Sequence, residues 1–326
     1  MEKIDFPRIT KDLLSLLQEK EKEVIVRRFG LLNREKETLE EVGNSFKITR
    51  ERVRQIQNKA FSRMREKILG YRNVFELLRK YLEEVGGVER EEDFLEKWGG
   101  KNYKNHLYFM LKLEGSFFRF IGDNQMFRCW AKDEQSFKEH RKVVSDIVKK
   151  IEEIGKPVKI EEILKIFPLS EEILEIKLKT SKLIGKNEDG FFGLNSWPEI
   201  LPRGIRDKIY LVFKKIQKPL HFREIAKLIF HPNVHTVHNE LIKDERFVLV
   251  GRGIYALRDW GYFPGQVKDV ILKILQREQR PMKKEEIIKE VLKQRIVKTE
   301  TILMNLTNKN YFRRDKEGNY YLVKEI

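Results

Sequence analysis

Apolar residues recur at helical spacing along most of the chain, and where that spacing stops, short apolar runs flank turns. In TRERVRQIQNKA, residues 49–60, Val53, Ile56 and Ala60 share one stripe at 100° per residue. Glu51, Gln55, Asn58 and Ser62 point the opposite way, with Arg50 and Arg54 on one flank and Arg52 and Lys59 on the other. A solvated helix face tends to carry Glu/Lys pairs at i,i+4. This one instead mixes cations with side chains that make specific hydrogen bonds. Upstream, TLEEVGNSFKI (38–48) opens with Thr38 and Glu41 at capping-box spacing. Leu39, Val42 and Phe46 supply the buried side of that helix, and Gly43 lets a second helix approach. After a turn at Lys47 and Ile48, Thr49 is placed to cap the next helix through its hydroxyl. Two short helices joined by a tight turn, the second basic and rich in hydrogen-bonding groups, predict a helix-turn-helix whose second helix enters a major groove.

Beyond residue 70 the pattern repeats. GKPVKIEEILKIF begins at 155, QKPLHFREIAKLIF at 217 and QRPMKKEEIIKEVL at 279, so Pro157, Pro219 and Pro281 are spaced 62 residues apart. GGVEREEDFLEKW at 86 is a weaker copy with Gly87 in place of proline. Around each copy a long amphipathic helix comes first, then a short one, a third, and two β runs around a turn. Trp130, Trp197 and Trp260 close the first three of these hairpins. Three helices followed by a hairpin is the winged-helix order. The expected fold is therefore mainly α with small β-hairpin wings: a helix-turn-helix over 1–70, then winged-helix units over 71–133 (degenerate), 134–200, 201–262 and 263–326.

Charge changes this picture. The net charge of +16 points to a polyanionic partner. Residues 1–70 carry 17 Lys/Arg against 12 Asp/Glu, residues 203–326 carry 27 against 15, and the middle balances at −1. Glu171 and Glu172 also open the third helix of the second repeat, where a reader of phosphates would present donors. The middle segments thus read as structural or protein-binding, and the C-terminal pair as candidate nucleic-acid binders. No apolar run approaches the ~18 residues of a spanning helix, and acids interrupt the N-terminal stretch where a signal peptide needs an apolar core. The single cysteine, Cys129, rules out internal disulfides and fits a reducing cytoplasm, with association to the nucleoid expected.

Residues 8–68 resemble region 4 of the bacterial sigma-70 family. EKEVIVRRFGL (21–31) is similar to the first half of that region and TLEEVGNSFKITRERVRQI (38–56) to its helix-turn-helix. The resemblance implies that Arg50, Glu51, Arg54 and Gln55 contact bases of a promoter −35 element. It places Thr38, Leu39 and Arg52 at or near the DNA backbone, and Thr49, Asn58 and Lys59 belong to the same face. Core RNA polymerase, through its β flap, is the protein partner it implies. Gln57 stands where the family usually has Glu, and Lys47 where a small or acidic residue is common. Nothing resembles the regions that melt DNA and bind the polymerase clamp, and the module begins almost at residue 1, so a self-sufficient sigma factor is not expected. KPLHFREIAKLI with VHNELIKDERFVLVGRGIYALRDWGY (218–262) resembles the HARE-type helix-turn-helix domain. In its hairpin, Gly251 and Gly253 are expected to permit the turn, Tyr255 and Leu257 to pack inward, and Arg252 to project at the tip toward a minor groove, a phosphate or solvent.

Enzymatic chemistry finds little support. WGGK at 98–101 lacks the rest of a phosphate-binding loop. There is no HExxH or GxSxG, and no cofactor or metal is expected. Pro232 separates His231 from His235 and His238, so capping and solvated roles outweigh metal ligation there. Three readings remain: a transcription factor that reads promoter DNA with RNA polymerase, a polymerase-associated protein that occupies the flap without reading DNA, and the DNA-binding part of a nuclease or modification system.

Overall fold

The computed structural model describes residues 4–32, 34–231 and 233–323. Pro232, named above as a breaker between histidines, lies outside them. The chain divides into two bodies, residues 1–196 and 197–326.

The first body begins with α1 (Phe6–Leu14), α2 (Glu19–Phe29), α3 (Leu39–Phe46) and α4 (Arg50–Leu69). There follow α5 (Arg72–Glu84), β1 (Val88–Arg90), α6 (Glu91–Glu114), β2 (Phe118–Phe120) and β3 (Cys129–Ala131). It closes with α7 (Glu134–Ile154), α8 (Ile160–Ile166), α9 (Glu171–Thr180), β4 (Ile184–Lys186) and β5 (Phe192–Leu194). The α6 segment is two helices: Gly100, at φ 55° and ψ −166°, breaks it. The glycines of WGGK therefore make a bend.

One apolar core spans the expected boundary at residue 70. Ile9 and Leu13 of α1, Phe29 of α2, and Ala60, Met64 and Ile68 of α4 pack with Leu78 of α5, Phe94 and Phe109 of α6, and Trp130 of β3. The Phe29 and Phe109 rings meet edge-on at 5.2 Å. Residue 70 marks a change of sequence pattern but no break in packing. The reason is the second half of α4, whose apolar stripe continues past the helix-turn-helix and is covered by α1 and α6 rather than by solvent.

In the second body the elements are α10 (Ile205–Ile216), β6 (Leu220–His221), α11 (Phe222–Leu228), α12 (Val234–Lys243), β7 (Phe247–Gly251) and β8 (Ile254–Leu257). They are followed by α13 (Val267–Glu278), α14 (Lys284–Gln294), α15 (Thr299–Leu306), β9 (Phe312–Arg314) and β10 (Tyr320–Leu322). Each half has its own apolar core, one around Phe213, Ile225 and Leu241, the other around Ile274, Ile287 and Phe312.

The 62-residue repeat has a structural cause. The residue after Gly87, Pro157, Pro219 or Pro281 is Val88, Val158, Leu220 or Met282, and all four are buried. Each pairs antiparallel with the last strand of its own hairpin: Val88 with Ala131, Val158 with Phe192, Leu220 with Tyr255 and Met282 with Tyr320. Proline suits the position because it has no N–H to lose just before a pairing residue. The short helix that follows then starts at a fixed place, with acids in its first turn at Glu161 and Glu162 or Glu285 and Glu286, where the helix dipole favours them.

Candidate nucleic-acid interface

The α3–α4 pair is built by local chemistry. The Thr38 hydroxyl accepts from the Glu41 N–H at 3.2 Å while the Thr38 N–H donates to the Glu41 carboxylate at 2.6 Å, so the capping box closes in both directions. α3 ends on Lys47 in the left-handed conformation, φ 54°, and the Ile48 N–H returns to the Gly43 carbonyl at 2.9 Å. At Gly43 a Cβ would stand 2.7 Å from the Ile48 carbonyl oxygen, so the turn folds directly onto the bare α-carbon. Thr49 then caps α4, its hydroxyl accepting from the Arg52 N–H at 3.2 Å. Val24, Val42, Val53 and Ile56 make the small core beneath, with Leu39, Phe46 and Ile48 around it.

Arg50, Glu51, Arg52, Arg54, Gln55, Asn58 and Lys59 are all exposed on α4, and Thr38 and Thr49 are exposed at the two caps. Leu39 is half-buried, its side chain belonging to the small core. Several of these side chains already have partners. Arg54 grips the Glu51 carboxylate with two nitrogens, each at 2.8 Å. Arg52 donates to the Gln55 side-chain oxygen at 3.0 Å. The Arg54 hydrogen bonds hold the Glu51 carboxyl below the usual range and raise the guanidinium in turn. Lys59, expected on the flank of this face, lies 3.9 Å from Glu21 of α2, which is itself buried and held by Arg63 at 2.7 Å. Glu21 escaped the sequence reading because its partners lie about forty residues downstream.

Arg252 belongs to the second body, exposed at the turn between β7 and β8. Of the two glycines beside it, only Gly253 takes a positive φ, +72°. Gly251 does not: it lies flat against Ile296, whose carbonyl oxygen would be 3.0 Å from an added Cβ. Its smallness serves a parallel bridge to Ile296, not the turn. Tyr255 and Leu257 are buried. His238 stacks on Phe222 at 4.3 Å, and His231 precedes α12 with its ring nitrogen against Asn233.

The description "Sigma-70, region 4" matches residues 13–66. Over 73 residues the chain is 45% identical to the RNA polymerase sigma factor RpoD of two strains of Helicobacter pylori, a stretch covering 22% of this chain and 10% of each relative. The chain thus matches about a tenth of the length of those curated relatives. Residues 13–66 carry a sigma-70 region 4 domain, in a mainly helical chain with small antiparallel strand pairs. No helix among the described residues is long and apolar enough to cross a membrane.

Proposed function

We propose that this chain is a bacterial DNA-binding transcription factor that recognises a −35-like promoter element through α3 and α4 and acts in transcription initiation with RNA polymerase. The observation that carries the reading is the exposed set Arg50, Glu51, Arg54 and Gln55 on one face of a capped helix, within a region 4 domain. Arginine offers two donors to a guanine edge and glutamine a donor and acceptor to adenine, so this set is chemically able to read bases. The chain is no enzyme in this reading, and it needs another sigma factor to open DNA. Its place is the cytoplasm, on the nucleoid.

The segments 71–133, 134–200, 201–262 and 263–326 are winged-helix units in this proposal, the third of HARE type. In support, three helical segments precede an antiparallel pair in each, counting α6 as two, and a pairing residue enters each sheet at the same repeat position. Their excess of cations in 203–326 suits duplex phosphate.

The second reading, a protein that occupies the polymerase flap without reading DNA, is favoured by one observation: Arg54 and Gln55 are engaged by neighbours on their own helix. Sequence selection on random duplexes separates the two. An enriched motif resembling a −35 element supports base reading. Core-polymerase capture with no enriched motif supports the alternative. Permanganate-detected opening of a linear promoter by this chain and core polymerase alone would show it to be a self-sufficient sigma factor after all.

A further inference from the structure

A second group of cations lies beside the helix-turn-helix and is built largely outside it. Lys36, in the loop between α2 and α3, places its ammonium 4.1 Å from the centre of the Tyr108 ring on α6. The Arg119 guanidinium of β2 is 5.1 Å from the same ring centre. Two cations therefore share one aromatic ring. Arg128, exposed just before β3, and Arg28 of α2 are near enough for their charges to act on Lys36. Burial first, and then the positive fields of Arg119, Arg28 and Arg128, hold the Lys36 ammonium below its ordinary range, with Glu91 acting the other way.

Carboxylates do not balance this group. Glu91 is bound by Arg119, whose Nη2 donates at 2.8 Å. Glu37 is bound by Arg27, and Glu41 is engaged in the α3 capping box. Lys36 and Arg128 have no carboxylate within 4 Å among the described residues. The Arg28 Nε is buried with no hydrogen-bond partner there. Like charges gathered this closely repel, and a bound phosphate would relieve the repulsion.

The position says which phosphate. Lys36 precedes the α3 cap, Thr38, by two residues, a span of at most about 7 Å of extended chain. In the helix-turn-helix docking geometry the first helix crosses the DNA backbone. A duplex docked on α4 in that way would bring its backbone past the start of α3, two residues from Lys36. We propose that Lys36, Arg119 and Arg128 form a phosphate-contact site that holds the DNA backbone flanking the sequence read by α4. The site extends the interface onto β2 and β3, beyond the residues 13–66 of the region 4 match. It rests on the reading of α4 as a base reader.

The test is a salt titration of the full chain on the duplex recovered by sequence selection, compared with the double variant Lys36→Gln, Arg128→Gln. Neither side chain belongs to the apolar core, so their loss leaves it intact. Arg119 stays in place because it binds Glu91. Each phosphate contact contributes about −0.9 to the slope of log K against log[salt], so the variant's slope should be shallower by roughly 1.8, with base preference unchanged. An unchanged slope and affinity in a chain that still selects its motif would overturn the site alone. A variant that binds DNA normally but no longer captures core polymerase would assign the cations to an acidic protein surface. A wild-type chain that enriches no motif removes the reading of α4, and this site with it.

Discussion

Arg54 and Glu51 are joined by two parallel hydrogen bonds of 2.8 Å on the exposed face of α4. The residue expected to read a base is thus held in place before any base arrives. A planar guanidinium fixed by a carboxylate loses less side-chain freedom on binding than a free one. Arg54→Ala should cut affinity for the preferred duplex roughly ten- to a hundredfold and relax preference at one position. Glu51→Gln should relax the same position with a smaller loss, since Arg54 stays charged but is less well held. Competition binding on single-base duplex variants measures both. The Glu51 carboxyl is depressed, so the pair is complete above its ordinary value of 4.5 and is lost as pH falls through the folded value. Discrimination that fades between pH 7 and 5 would contradict this assignment.

Gly43 is predicted to tolerate no side chain. Alanine would raise helix propensity by about 1 kcal/mol, but its Cβ meets backbone, the Ile48 carbonyl oxygen, at 2.7 Å. Overpacking of this kind costs about 1–3 kcal/mol, so Gly43→Ala should be destabilising on balance and should weaken duplex binding by misplacing Thr49 and α4. Denaturant melts read by the amide signals of 38–60 give the answer, and a stabilised variant would refute it.

His140 is predicted to make the first body acid-sensitive. It is buried between α7 and α9, with Nε2 2.9 Å from the Thr180 hydroxyl and Nδ1 3.3 Å from the Lys177 ammonium. The Thr180 hydroxyl donates to the Lys177 carbonyl at 2.7 Å, so it accepts from Nε2–H and leaves Nδ1 to accept from Lys177. A second ring proton would face an ammonium. Burial and Lys177 together lower this imidazole to about 3. The unfolded chain binds its proton near 6.5, the folded chain only near 3. Stability from this group is therefore complete above about 6.5 and falls with acid at up to about 1.4 kcal/mol per pH unit. Buried Glu89, whose carboxyl is raised by burial, contributes with the opposite sign, so the comparison must be with His140→Asn. That variant should be less stable at neutral pH but show a flatter profile from pH 6.5 to 4. Equal slopes would exclude His140 as the source.

Cys129 should be inert. Burial, with Glu91 and Asp93 nearby, pushes its thiol up to about 12, and none of its surface is exposed. Thiolate is the reactive form. A disulfide reagent at pH 8 should modify the unfolded chain fully and the native chain only as fast as it opens. Rapid modification of the native protein would contradict the burial.

Local chemistry was legible in the sequence and distant pairing was not. Thr38 with Glu41, Thr49, and the Val53–Ile56–Ala60 stripe are signals within a few residues, and each took its expected place. The 62-residue spacing was equally visible, although its cause, one residue entering a sheet, is a long-range pairing that no local signal records. Side-chain partners were invisible even at short range: Glu51 reads as a base contact, yet three residues away Arg54 holds it. Lys59 with Glu21 and Lys36 with Tyr108 were hidden for a different reason, since no periodicity records which helices meet. Gly251 shows a third limit. A glycine between strands suggests a turn, but this one is small for the sake of Ile296, forty-five residues on.

The continuous core from Phe6 to Trp130 decides how this protein can be taken apart. A fragment ending at residue 70 would carry α4 with its inner stripe stripped bare, and Phe29, Phe61 and Met64 would face water where α6 had lain. Such a piece invites aggregation, and transplanting it onto another scaffold would carry the same defect. A cut after Ala131 would repeat the fault, because Phe137 of α7 packs on Val88, Cys129 and Ala131 and Ile176 of α9 packs on the main core, so the transferable piece is the whole first body. Hydrogen exchange should show the C-terminal half of α4 opening in concert with α6.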